Sequence, residues 1–309
     1  MSIKRRELIR KVALATAGIA AMPVAGCNGT KPSAAAEEVT RTSLKISLNA
    51  YSFNTLLRNG SMSLDDLIEF TATTGFDGLD ITGYYFPGYP VVPSDDLIYH
   101  IRKKAFRLGL ELGCLGVRND FANSDSEKRS ADKQLVKDWV VVAHKIGAPG
   151  LRIFSGNQIP DSISWDKTAE QVAADIRECA DFAAGYGVML ALQNHNDFLK
   201  TSADVEKLMG IIDHQWVGLM LDIGSYRTAD PYSDIASNVK YAITWQIKEK
   251  IYIKEKQVDT DFSKVVAIVR DSGYRGYLPL ETLGEGDPYM KVKALYQKVR
   301  NAVNASAQA

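Results

Sequence analysis

From Leu44 onward the chain of 309 residues alternates short apolar runs with longer amphipathic segments, eight times over, and the alternation never breaks. Eight apolar runs, at 44–53, 76–82, 110–117, 150–155, 187–193, 217–223, 241–248 and 277–281, have the length and composition of buried strands. Helices are expected between them at 63–75, 94–109, 133–146, 168–186, 202–212, 262–271 and 290–303, with Ser63, Ser94 and Ser202 as N-caps and Gly75, Gly109 and Gly147 as stops. A small local hairpin is expected at 251–258. Strands that are apolar throughout, such as Leu219-Met220-Leu221, belong to a parallel sheet covered by helices. Eight of them predict a closed (β/α)8 TIM barrel in a single domain, 44–309. An open doubly wound sheet is the alternative, but it carries a Gly-rich phosphate turn after its first strand, and none follows Phe53.

The first 43 residues are a different kind of sequence. Lys4-Arg5-Arg6 precedes an Ala-rich apolar run, and Val24-Ala25-Gly26-Cys27 follows it. The order is that of an export signal resembling the twin-arginine type, with a lipobox ending at Cys27. Residues 1–27 are therefore read as targeting and 28–43 as a flexible tether, making the chain an exported periplasmic or membrane-anchored bacterial lipoprotein. An ordinary signal peptide cut elsewhere is the alternative. The only expected membrane contact is the lipid anchor. Without residues 1–26 the formal charge falls from 0 to about −4, so no basic face for nucleic acid is expected. Cys114 and Cys179 lie in apolar or helical segments and are read as buried thiols, not a disulfide. The oligomeric state is left open.

In a parallel barrel the chemistry sits where the strands end. The fifth strand closes on Gln193-Asn194-His195, the sixth carries Asp222, the seventh Gln246 and Lys248, and the eighth Glu281. Each interrupts an apolar strand near its C-terminal end. Gln193, Asp222, Gln246 and Glu281 together form an oxygen-rich set of the kind that suits Mn²⁺ or Mg²⁺. Taken singly, Asp222 or Glu281 is equally well a cap or an ion-pair partner, and Gln193 alone points to a ligand less than either. Tyr84, Tyr85, Phe86 and Tyr89 after the second strand are candidates for a sugar-stacking wall or for loop packing. Asn49, Tyr51 and Arg152 face the same mouth if the strand phase is right, and Trp165 and Trp245 are candidates for stacking on a sugar.

These strand ends resemble the xylose-isomerase-like TIM barrels known as sugar phosphate isomerases/epimerases, a group that includes tagatose and psicose epimerases, inosose dehydratases and the distant endonuclease IV enzymes. The resemblance spans about 44–303 and rests on four stretches. They are Leu190-Ala191-Leu192-Gln193-Asn194-His195, Leu221-Asp222-Ile223-Gly224, Gln246-Ile247-Lys248-Glu249 and the run Gly273-Tyr274-Arg275-Gly276 into Glu281. It implies a metal at Gln193, Asp222, Gln246 and Glu281, with Glu281 as base. His195 and Lys248 are candidates for the second proton transfer or for oxyanion stabilisation; the alternatives are that His195 orients a ligand and that Lys248 is a strand-end lysine paired with Glu249. The implied activity is isomerisation, epimerisation or elimination on a sugar or keto-sugar by proton abstraction next to a carbonyl. Two departures stand out. Gln193 replaces a glutamate that serves as the second base in the epimerases, and an amide accepts no proton near neutral pH. Gln246 replaces the commoner histidine, and with four histidines in the whole chain the His-rich three-zinc site of endonuclease IV cannot be built. The competing reading is a carbohydrate-binding surface lipoprotein that keeps the barrel without catalysis.

Overall fold

A computed structural model of the chain describes residues 44–157, 163–195 and 198–308. The expected export signal, lipobox and tether lie outside these residues.

The strands are β1 Lys45–Asn49, β2 Gly78–Asp80, β3 Glu111–Leu112, β4 Cys114–Gly116, β5 Gly150–Phe154, β6 Met189–Gln193, β7 Val217–Asp222, β8 Ala242–Lys248, β9 Lys250–Ile253, β10 Lys256–Asp259 and β11 Tyr277–Glu281. Nine of them form one parallel sheet in the order β3-β2-β1-β11-β8-β7-β6-β5-β4. β3 and β4 are two halves of one barrel strand broken at Gly113. The first half pairs with β2 and the second with β5, and a parallel bridge between Thr82 and Gly116 joins the two edges of the sheet. The result is the α/β TIM barrel expected from the alternation. β9 and β10 make a separate antiparallel hairpin beyond β8, as expected.

The helices are α1 Asn54–Arg58, α2 Leu64–Thr74, α3 Asp95–Arg107, α4 Ser126–Ile146, α5 Trp165–Ala184, α6 Ser202–Ile212, α7 Pro231–Asn238, α8 Phe262–Asp271 and α9 Pro288–Gln308. Ser63 caps α2 in a reciprocal box with Asp66, and Ser94 caps α3. The cap of α6 is Thr201, boxed with Asp204, one residue before the expected Ser202. α4 begins seven residues before the expected 133, because Asp125 caps it and its first two turns are too charged to show an apolar stripe. α7, started by Asp230 with Pro231 in its first turn, fills the interval between the sixth and seventh strands, where the sequence marks no helix bounds. The first strand ends at Asn49 because the Asn49 side chain accepts a hydrogen bond from the Tyr51 N–H and turns the chain into a 3₁₀ turn.

Strand alternation divides the core. Ile46 and Leu48, Leu151 and Ile153, Leu190 and Leu192, Leu219 and Leu221, and Leu278 and Leu280 join the large cluster shared with the helices. Ala191, Met220 and Cys114 form a small separate cluster on the alternate, inward phase. A bulge sets that phase on β8. Leu219 lies opposite Ala242 but Met220 opposite Thr244, so Ile243 is the extra residue and Asp222 comes to face Gln246.

Asp80, at the end of β2, is buried, and neither its carboxylate oxygens nor the nearby Ser47 hydroxyl has a well-formed hydrogen bond. Burial pushes its carboxyl up to about 7 from the ordinary 3.8. Between those values the folded protein holds a proton that the unfolded chain releases. Stability therefore falls as pH rises through that window, by about 1.4 kcal/mol per pH unit at most, and levels off above it. Asp80→Asn is expected to remove this slope and to be more stable than wild type on the alkaline side. Urea midpoints at about pH 5 and pH 8 measure it. An unchanged slope in the variant would assign the pH dependence to another group.

Candidate active site

The C-terminal strand ends open into a cavity of about 940 Å³. Its floor is made by Gln193 of β6, Gln246 and Lys248 of β8 and Glu281 of β11. Asp222, fully buried at the end of β7, lies beneath them and does not line the cavity. The four strand ends singled out in the sequence do converge. The Gln193 amide (Nε2) donates to Asp222 Oδ2 and to Gln246 Oε1, both at 2.8 Å. Lys248 Nζ donates to Asp222 Oδ2 at 2.7 Å and lies 3.2 Å from Glu281 Oε2. Asp222 Oδ1 accepts the Gly224 N–H at 2.9 Å.

Three features of the local chain hold this arrangement. Asn194 clamps the end of β7: its Nδ2 donates to the Asp222 carbonyl at 3.0 Å, and its Oδ1 accepts the Asp222 N–H at 2.7 Å. A side chain at Gly224 would bring its Cβ to 2.6 Å from Lys248 Cδ, so glycine here leaves the path the lysine stem takes to Asp222. Thr260, just past the hairpin, donates its hydroxyl to the Lys248 carbonyl at 2.8 Å and fixes the end of β8. The role of Asn194 was not read from the sequence, although its place between Gln193 and His195 at a strand end was the available signal.

Burial and charge work against each other here. Burial raises the Asp222 carboxyl, but the Lys248 ammonium and the Gln193 amide outweigh it and hold the group below the usual carboxylate range. Burial tends to lower Lys248, and the two carboxylates raise it well above its ordinary value. Glu281 is raised, by burial first, with Lys248 opposing and Asp222 adding to the rise. Asp222 and Lys248 thus form a charged pair, and of the two carboxyls beside the ammonium Glu281 is the one whose proton affinity is raised.

The wall carries the aromatic loop. Tyr84, Tyr85, Phe86 and Tyr89 all line the cavity, and they pack on one another and on a neighbouring helix. Phe86 and Tyr89 pack on Trp139 of α4 with ring centroids 5.5 and 5.4 Å apart, and Tyr84 meets Tyr85 edge-on at 4.8 Å. Arg152 also lines the cavity. Its Nη1 donates to the Val117 carbonyl at 2.6 Å, and its guanidinium lies 4.1 Å over the Phe154 ring. Gly116 makes room for it, since a Cβ there would come within 2.9 Å of Arg152 Nη2. Asn49, Tyr51 and His195 are at the same mouth, with His195 edge-on to Phe154 at 5.4 Å.

Trp245 does not belong to this site. It sits between Thr244 and Gln246 on β8, points outward, and is fully buried in the helix-facing core beside Tyr274. The two-residue period of the strand that turns Gln246 inward turns Trp245 away. Trp165 stacks on Phe198 and does not line the cavity. Two cationic lining residues, Arg58 and Arg118, went unread in the sequence. Arg58 ends the unexpected α1, and Arg118 follows the third barrel strand by two residues. Cys114 and Cys179 are free and buried, as expected, and burial raises both thiols, Cys179 to about 12.

The xylose isomerase-like TIM barrel family model matches residues 68–302, and the chain belongs to that family. No curated protein matches the sequence significantly. Among solved structures, the fold is similar to a xylose isomerase domain protein from Planctomyces limnophilus (TM-score 0.69, 12% identity, covering 87% of this chain and 100% of that one). It is similar also to D-psicose 3-epimerase with D-tagatose from Clostridium cellulolyticum H10 (TM-score 0.67, 19% identity, 86% and 96%). A third is the apo form of 3-keto-D-glucoside 4-epimerase from E. coli (TM-score 0.63, 15% identity, 86% and 99%). At these identities the likeness is one of fold.

The implied divalent ion can be tested against the donors present. A metal at this point would use oxygens of Gln193, Asp222, Gln246 and Glu281. Both Asp222 oxygens, Gln246 Oε1 and Glu281 Oε2 already face internal donors, and the Gln193 amide turns its N–H₂ inward. As arranged, the set is that of a site already holding a cation, the Lys248 ammonium, and it does not fit a divalent ion.

Proposed function

We propose that the chain is an isomerase or epimerase of a sugar or keto-sugar, acting by moving a proton at a carbon next to a carbonyl. One observation carries this reading. A buried carboxyl of raised pKa, Glu281, stands on the cavity floor beside an ammonium, under a wall of tyrosines. Glu281 takes the proton, since burial makes it a stronger base than a solvated glutamate. The electron pair moves onto the carbonyl oxygen, and the cations at the floor and wall, Lys248 and Arg152, are placed to face that oxygen or its neighbours. His195, at the same mouth, is the group proposed to return or relay the proton, a task that Gln193 cannot perform. Tyr84 and Tyr51 offer faces and hydroxyls to the sugar ring. The two epimerases of similar fold are named for changes next to a ketone, at C3 of D-psicose and C4 of a 3-keto-glucoside, which supports the substrate class.

The leader supports export and a lipid anchor at Cys27, which would present free sugars and glycosides as the accessible substrates. The test is solvent exchange. In D₂O, the full chain is expected to introduce deuterium next to the carbonyl of at least one of D-psicose, D-tagatose or a 3-keto-D-glucoside, followed by proton NMR. Binding without exchange across all three would favour the carbohydrate-binding alternative.

A further inference from the structure

We infer that this barrel works without a divalent ion, and that the Lys248 ammonium holds the place between Asp222 and Glu281 that such an ion would take. Several details of the centre point the same way.

The ammonium bridges the two carboxylates, at 2.7 Å from Asp222 Oδ2 and 3.2 Å from Glu281 Oε2. The position is prepared for it, because Gly224 has no Cβ to block the lysine stem.

Gln193 fits a lysine-filled centre and not a metal-filled one. Its N–H₂ meets Asp222 Oδ2 and Gln246 Oε1 together. Turning the amide over would press a third acceptor against two others, and only an added cation would hold them. A glutamate in this position would set two carboxylates in contact and impose the same requirement. The exchange of Glu for Gln is therefore matched to the lysine: one negative charge is withdrawn from a centre whose cation carries a single positive charge.

Gln246 fits the same logic from the other side, since its oxygen accepts from Gln193 and is not turned to a central ion. Lastly, Lys248 lines the cavity while Asp222 does not, so at the floor between the two carboxylates the cation open to a substrate oxygen is the ammonium.

The catalytic half of the inference rests on the function proposed above. Glu281 removes the proton, the C–H electron pair forms the enolate, and the oxygen that gains the charge is stabilised by Lys248 Nζ–H. Return of a proton to carbon restores the carbonyl, so no oxidant, reductant or further co-reactant is needed. The structural half stands without that reading.

The experiment separates the two. The full chain is stripped with chelator and titrated with Mn²⁺, following free Mn²⁺ by electron paramagnetic resonance and the melting temperature in parallel. Wild type is expected to take up no stoichiometric Mn²⁺, to show no rise in melting temperature, and to exchange deuterium equally with and without chelator. The paired variant Gln193→Glu with Lys248→Met, which restores the acidic ligand and empties the centre, is expected to gain one Mn²⁺ and a higher melting temperature on loading. Should the pair not fold, the wild-type titration still decides. Stoichiometric uptake of Mn²⁺ by wild type, or exchange that vanishes on chelation, overturns the inference. A wild type that neither binds Mn²⁺ nor exchanges any keto-sugar proton leaves the lysine-filled centre standing and removes the function.

Discussion

Glu281→Gln is expected to lower the rate of deuterium exchange into a keto-sugar about 10²–10⁴-fold, the span usually carried by a positioned general base. The amide keeps the shape of the side chain, and Lys248 keeps its shorter contact to Asp222 at 2.7 Å, so binding of the sugar should change little. The loss should appear in kcat with KM nearly constant. The pH profile provides a second check. Burial raises the Glu281 carboxyl above its ordinary 4.5, with Lys248 opposing the rise. A base must be ionised to act, so exchange by wild type should climb with pH through a limb lying above the ordinary glutamate range. The variant should lack that limb. A variant exchanging at the wild-type rate would move the base elsewhere, with His195 the next residue to replace.

The barrel was legible because a parallel barrel writes itself as apolar strands at regular intervals, and because Gly and Ser punctuation marks most helix ends. What the sequence hid was hidden for local reasons. α4 starts at Ser126 among charged residues that carry no apolar period, and α7 is too short to show one. The split of the third strand at Gly113 changes its partner without changing its composition. The bulge at Ile243 is invisible in a run of apolar residues, yet it determines that Gln246 faces Asp222 and that Trp245 faces the helices.

The candidate site shows the same division. Position at a strand end was enough to bring Gln193, Asp222, Gln246, Lys248 and Glu281 together on paper, and the structure does bring them together. Which atom of each would face which was not readable, because an amide presents either a donor or an acceptor and a lysine stem reaches several places. Read as a list of oxygens, the four residues suggested a metal. Read as donors and acceptors in place, they form a closed network around an ammonium. Gln193 changes meaning most: in the sequence it looks like a ligand that has lost its basicity, and in the structure its gain of two N–H donors matters as much.

That network has a cost when it is broken from one side. Asp222→Asn is expected to destabilise the protein by about 3 kcal/mol, the low end of the usual penalty for breaking a buried ion pair, because Glu281 stays beside the ammonium. Asp222 is fully buried and receives Lys248, Gln193 and the Gly224 N–H, so water cannot replace what the substitution removes. The sign of the pH dependence follows from its lowered pKa. The stabilisation is present above the ordinary carboxylate value of 3.8 and is lost as pH falls through the lower folded value. Wild type and variant should therefore converge in strong acid and differ most near neutrality. Lys248→Met in the Asp222→Asn background should cost less than Lys248→Met alone, because the lysine has by then lost its shorter partner and keeps only Glu281 at 3.2 Å. Urea midpoints with an unchanged denaturant dependence measure wild type and all three variants. If the two substitutions simply add, the ammonium is not held by Asp222, and the charge at the barrel's centre is organised in some other way.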